Sequence, residues 1–222
     1  MFPFPFSFVA PTASGLADID NVYSMEFDGV DDYFNAGTEV FTSNTESSMS
    51  ISCWIKTTVG SANAIISKDL TTTGNRNFLL QLASNNLYWQ TSTNASVLSS
   101  LIVSQATVNV LDGAWHHIAV TYNAGNTSID GEKKIYVDGI LRATDGAATI
   151  LDIDNTPAVP IEIGRRGDGA RYWNGSIDEV AFFNYALDSD QILEIYNATS
   201  SGKTADLSAM ATPPVAWYRM GD

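Results

Sequence analysis

Cysteine, histidine and basic residues are all scarce in this chain of 222 residues. Cys53 is the only cysteine, so no disulfide can form within the chain. Its setting, Ser52-Cys53-Trp54-Ile55, has the composition of a strand, and a thiol there is expected to be buried and inert. Lysine and arginine number 11 against 25 aspartates and glutamates, a formal charge of −14. Nucleic acid and anionic membrane both demand a basic face, so neither is expected as a partner. No apolar run approaches the ~18 residues of a membrane span, so no insertion is expected. The first residues, Met-Phe-Pro-Phe-Pro-Phe-Ser-Phe-Val-Ala-Pro, are apolar but carry no positive charge, which makes a poor signal peptide. The two histidines, His116 and His117, have no serine, cysteine or acid at triad spacing, and no phosphate-binding loop is present.

What is there is a β pattern. Ile118, Val120 and Tyr122 alternate with Ala119 and Thr121, as in a half-buried strand. Ile135 and Val137 repeat the alternation, and Asp138-Gly139 is a favoured hairpin turn. Further strands are expected at 23–35 (broken by Gly29), 48–57, 64–68, 78–82, 87–91, 95–103, 161–165 and 177–184. One helix is expected over 188–198, capped by Asp188 or Ser189, with Ile192, Ile195 and Tyr196 at helical spacing. The fold class is therefore all-β, a two-sheet antiparallel sandwich with one short helix near the C-terminus. Residues 1–20 read as an extended arm, 21–198 as the sandwich, 199–212 as a small polar linker and 213–222 as a closing strand. In the arm, Phe2, Phe4, Phe6 and Phe8 alternate with residues that include Pro3 and Pro5, so an extended chain carries its phenylalanines on one side. Such a strip needs cover. Neighbouring protein chains are the expected partner, in a homo-oligomer or a larger assembly.

Four segments, in order, carry a resemblance. They are Ser24-Met-Glu-Phe-Asp-Gly-Val-Asp-Asp-Tyr33, Trp115-His-His-Ile-Ala-Val-Thr-Tyr122, Ile135-Tyr-Val-Asp-Gly139, and Gly175-Ser-Ile-Asp-Glu-Val-Ala-Phe-Phe-Asn184 with the helix start at 186–192. Together they are similar to the laminin-G-like, concanavalin A-like jelly roll, the group that includes pentraxins. The resemblance implies two curved antiparallel sheets packed face to face. The chain departs from it at the ends: a strand like Val215-Ala-Trp-Tyr-Arg-Met-Gly-Asp222 usually comes first in the family. Either it completes this sandwich from the C-terminus or it begins a second repeat.

The resemblance also implies a structural calcium ion. Asp28 and Asp178 would be its side-chain ligands, with Glu26 and Asp31 as further candidates, since calcium takes hard oxygen ligands. Glucanases of the superfamily carry two glutamates around an aspartate on one strand face. Here Asp178 and Glu179 are adjacent and so are expected on opposite faces, without the facing pair that glycoside cleavage needs. An enzyme is not expected.

Residues 165–174, Arg-Arg-Gly-Asp-Gly-Ala-Arg-Tyr-Trp-Asn, form a local basic patch in an acidic chain. Arg165, Arg166 and Arg171 offer forked donors for a carboxylate or a sugar, and Tyr172 and Trp173 offer stacking faces. Tyr88 and Trp89 must point to opposite faces of their strand, and Trp89 is taken as the sugar platform. The expectation is a non-catalytic glycan-binding or assembly domain of a virion or cell-surface appendage. A purely structural decoration or fibre protein, like those of bacterial viruses, is the alternative; a glycoside hydrolase is a weaker third reading.

Overall fold

The structure is a computed structural model that describes residues 15–43, 45–72, 74–94, 96–124, 131–147, 153–154, 158–198 and 202–221. Of the arm expected over residues 1–20, residues 1–14 with the phenylalanines lie outside the described residues, while Asp18–Asp20 is not a free arm but a strand paired with Lys203–Ala205. In chain order the elements are β1 (Asp18–Asp20), β2 (Met25–Asp28), β3 (Phe34–Gly37), β4 (Thr45–Glu46), β5 (Ser48–Lys56), β6 (Asn63–Asp69), β7 (Arg76–Ala83), β8 (Asn86–Thr91) and β9 (Ser99–Val103). There follow β10 (Trp115–Asn123), β11 (Gly131–Val137), β12 (Ile140–Ala147), β13 (Ile153–Asp154), β14 (Ile161–Ile163), β15 (Asn174–Phe183), α1 (Ser189–Asn197), β16 (Lys203–Ala205), a 3-10 turn (Leu207–Ala209) and β17 (Ala216–Tyr218).

Two antiparallel sheets make the sandwich. One runs β12-β11-β10-β5-β15-β17, with β2 also on β15; the other runs β3-β14-β6-β7-β8-β9. Alternation decides what lies between them. Ile51, Cys53 and Ile55 of β5, Ile118, Val120 and Tyr122 of β10, and Ile135 and Val137 of β11 all join one buried core. Phe78, Leu80 and Leu82 of β7 meet them from the other sheet. Burial pushes the Cys53 thiol up to about 12, so it stays protonated and unreactive. The hairpin turn expected at Asp138-Gly139 forms with positive φ at both residues, 54° and 72°, the pairing that a two-residue turn of this hand needs.

The expected strand over 23–35 is instead two strands in different sheets, since β2 pairs with β15 and β3 with β14. Gly29, at φ 82°, makes the crossing possible: a Cβ there would sit 2.9 Å from the Asn174 amide nitrogen.

The outer face of the seven-stranded sheet holds a second apolar cluster. Ile192 and Ile195 of α1 cover Ala119, Tyr136, Ala181 and Phe183. Asp188 caps α1, accepting from the amides of Asp190 and Gln191 while the Gln191 side chain returns to the cap. Residues 202–212, read from the sequence as linker, belong to this layer. β16 pairs with β1, and Thr204, Ala205 and Leu207 are buried. Their composition is small and polar, but an uncovered sheet face beside α1 gives even short side chains something to bury against. The C-terminal strand β17 pairs with Val180–Phe182 of β15. Trp217 is half-buried and Met220 buried.

Candidate functional site: an aromatic cleft beside the first strand

The covered outer face ends short of one corner of the sheet. There a cleft of about 410 Å³ is lined by Tyr23, Trp54, Trp115, Asn21, Asp178 and Lys203, among others. Register builds its floor. Trp54 of β5 stands opposite Asp178 of β15 on one side and His117 of β10 on the other. Trp115 lies two residues before His117, so the four side chains share one face. β16 and residues 21–24 supply the wall, held by the Asn21 amide donating to the Gly202 carbonyl at 2.9 Å.

Asp178 and Glu179 are not on opposite faces, contrary to expectation. Asp178 pairs with Trp54 but Ala181 pairs with Ser52, so β15 carries one extra residue here. Glu179 sits in that bulge at φ 51°. Both carboxylates therefore turn outward, and one Asn21 amide nitrogen donates to Asp178 and to Glu179 at 3.1 Å each. Strict alternation gave the wrong faces because it assumes an unbroken ladder.

Facing the same way does not make the two acids a catalytic pair. Glu179 accepts from the Trp217 indole at 2.6 Å and from Arg219 at 3.4 Å, besides Asn21. It is a buried tie between the entering chain and the C-terminal strand. Desolvation, then the neighbouring Asp178 charge, pushes its pKa up to about 7. Asp178 alone of the two lines the cleft.

The histidines differ although adjacent. His117 is wholly buried, its Nε2 is 2.8 Å from the Ser52 hydroxyl, and desolvation lowers it to about 4. Neither partner of that Ser-His contact reaches solvent enough to act as a nucleophile. His116 lies between Asp138 at 2.9 Å and Asp112 at 3.1 Å; the hydrogen bond to Asp138 is the main cause of its raised pKa.

The arginine loop is occupied with itself. Arg165 makes a forked bond to Glu162 at 2.7 and 2.8 Å, and its guanidinium lies 3.3 Å over the Tyr33 ring. Tyr172 also contacts Arg165. Arg166 forks onto Asp168 at 2.9 and 2.6 Å. Arg171 donates to Gln81, and desolvation is the main cause of its lowered pKa. Trp173, expected as a stacking face, is fully buried in the core. Trp89 is buried too, its indole donating to the Thr121 carbonyl at 3.2 Å. Tyr88, not Trp89, is its strand's outward aromatic. The six-residue stretch alternates so that Leu87 and Trp89 face the core.

The calcium set suggested by resemblance is not assembled. Asp28 lies opposite Asn174, while Asp178 lies four residues further along β15, roughly 13 Å away at strand rise. Glu26, opposite Ser176, falls between them and is exposed. Asp28, Asp31 and Asp32 do converge, with carboxylate oxygens within 4.8 Å of one another, all exposed. Part of that convergence is a turn: Asp28 Oδ1 accepts from the Val30 amide at 2.7 Å and Asp32 from the Asp28 amide at 3.2 Å.

A laminin-G family model, described as the Concanavalin A-like lectin/glucanases superfamily, matches residues 28–193. The chain belongs to that family. A carbohydrate binding protein of Bacteroides ovatus, so designated provisionally, superposes with TM-score 0.62 at 16% identity, covering 92% of this chain and 52% of its own. The ligand binding domain of botulinum neurotoxin serotype D, in complex with N-acetylneuraminic acid, gives 0.60 at 15% identity over 83% of this chain and 46% of its own. A heptameric pentraxin of Limulus polyphemus gives 0.56 at 16% identity, covering 89% and 90%. An adhesion G-protein coupled receptor of Danio rerio is 27% identical over 120 residues, 51% of this chain and 2% of the receptor. At these identities the structural likeness establishes the fold. The chain spans about half the length of the toxin and Bacteroides chains. Among the described residues no helix is long and apolar enough to cross a membrane.

Proposed function

We propose that the protein is a non-catalytic glycan-binding module of an extracellular or virion surface, and that the Tyr23–Trp54–Trp115 cleft takes the sugar. The carrying observation is the cleft itself: aromatic side chains beside Asp178, Asn21 and Lys203 in one concavity. Sugars present apolar C–H faces to aromatic rings and hydroxyls to charged and amide groups, and sites of this kind place a few polar groups in an apolar hollow. Trp115 is 36% exposed, which leaves surface for a ligand. The sugar-linked names of the Bacteroides and toxin structures agree with the reading. Screening the full chain on a glycan array tests it. Hits that vanish in Trp115→Ala support it; hits that persist there, or no hits, count against it.

Assembly through the phenylalanine-rich N-terminus is a compatible second role, and the pentraxin neighbour is itself a heptamer. Removing residues 1–10 should then lower the molar mass measured by light scattering without lowering the melting temperature. For calcium, the donor set that fits is Asp28, Asp31 and Asp32, three hard carboxylates in reach of one ion. Its role there would be to stiffen the turn between the two sheets.

A further inference from the structure

Resting on the glycan reading of the cleft, its charges define which sugar it takes. Asp178 is 5% exposed and lies in the floor. Its Oδ1 accepts from the Glu179 amide at 2.8 Å and its Oδ2 from Asn21, so the carboxylate is fixed in direction. Glu179 stands directly behind it, sharing the Asn21 amide. Behind the wall, Asp18 and Asp20 flank Lys203.

The base that lines the cleft is already paired. Lys203 reaches Asp18 at 3.3 Å and Asp20 at 3.7 Å. Arg219 is held by Glu179 and by the Asp20 carbonyl. Lys56, exposed and opposite Trp115 and Ser176, lies outside the lining, with Glu26 in the same row. The floor of the cleft therefore presents a carboxylate, and its lining presents no unpaired cation. An acidic sugar would lose its hydration without gaining an unpaired cation, whereas an ammonium gains both a carboxylate and the faces of aromatic rings.

We propose that this cleft binds an amine-bearing sugar, a hexosamine whose amino group is free, with the ammonium against Asp178 and the ring laid on Trp115. The cleft discriminates against acidic sugars by the same charges. This sets it apart from the toxin domain seen with N-acetylneuraminic acid, whose ligand carries a carboxylate.

Isothermal titration of the full chain with four probes tests this: a β-1,4 glucosamine disaccharide, its N-acetylated form, cellobiose and sialyllactose. The glucosamine disaccharide should bind at least tenfold more tightly than either neutral disaccharide, and sialyllactose should give no measurable heat. Raising salt from about 0.05 M to about 0.5 M should weaken the amine several-fold and leave cellobiose unchanged. Asp178→Asn should abolish the preference for the amine while keeping the neutral affinity. Because that change sets two amide donors together at Asn21, the salt dependence of the wild type stands as the independent measure. Equal or tighter binding of the N-acetylated or sialylated probe overturns the inference while the glycan reading survives. Absence of heat with all four, with Trp115 fluorescence unmoved, overturns both.

Discussion

The loop at 165–173 holds three arginines and two aromatics, while the cleft beside β1 holds one lysine and one aspartate among its lining residues. By composition the loop is the richer site. In the structure its charges are answered from within, by Glu162, Asp168 and Gln81, and its tryptophan is in the core. The cleft gathers residues from positions 21 to 204, none of them conspicuous alone, and leaves Tyr23 and Trp115 in contact with solvent. A charged segment becomes a site only when its partners are missing from the same protein. Sequence shows the charges but not the partners.

The tryptophans separate the two regions most strongly. Trp89→Ala and Trp173→Ala should each cost about 3–5 kcal/mol in denaturant unfolding, because both are fully enclosed. Trp115→Ala should cost less, about 1–2 kcal/mol, because its side chain is only partly buried. A destabilisation at Trp115 equal to that at Trp173 would erase the distinction.

Glu179 gives the next effect, in pH. Its folded pKa stands at about 7, while the unfolded chain releases the proton near 4.5. Between those values the folded state holds more protons, so Glu179 makes stability fall as pH rises through that window. Each pKa unit of difference corresponds to about 1.4 kcal/mol. Glu179→Gln should flatten this decline, and melting temperatures from pH 4 to 8 should converge at the acid end and diverge toward pH 7. His117 acts with the opposite sign, since its pKa falls to about 4: its stabilisation is present above pH 6.5 and is lost as pH drops toward 4. It is unchanged in the variant and cancels in the difference.

Arg165→Ala should cost about 2 kcal/mol, since it leaves the Glu162 carboxylate, 4% exposed, without its forked partner. Sugar binding should be unaffected, which sharpens the contrast with Trp115. The smallest effect concerns calcium. Saturating calcium should raise stability by about 1–2 kcal/mol through binding to the folded state. The gain should disappear in Asp31→Ala and persist in Asp178→Asn. An unchanged melting curve with calcium would leave the acidic turn as a hydrogen-bonded turn.

Much of the fold was legible because its signals are local. Alternation in β5, β10 and β11 named the core residues, and the Asp188 cap with Ile192 and Ile195 named the helix. The site was not legible. Asp178 and Glu179 share a face through a bulge that alternation cannot reveal. Sequence alone does not decide between Tyr88 and Trp89 as the outward aromatic, because a strand's two faces look alike until the sheet opposite is placed. Residues 203–205 looked like linker because their burial depends on a sheet face left open far away in sequence. The Trp54–Trp115–Asp178 grouping rests on register across β10, β5 and β15, which no single segment contains.

The most direct test compares binding of one sugar by three proteins. Titrate the glucosamine disaccharide into wild type, Trp115→Ala and Arg171→Ala, with each variant's melting temperature confirming its fold. The account predicts at least a tenfold loss of affinity, about 1.4 kcal/mol, in Trp115→Ala and wild-type affinity in Arg171→Ala. Loss in Arg171→Ala with full affinity in Trp115→Ala would contradict it and move the site to the arginine loop.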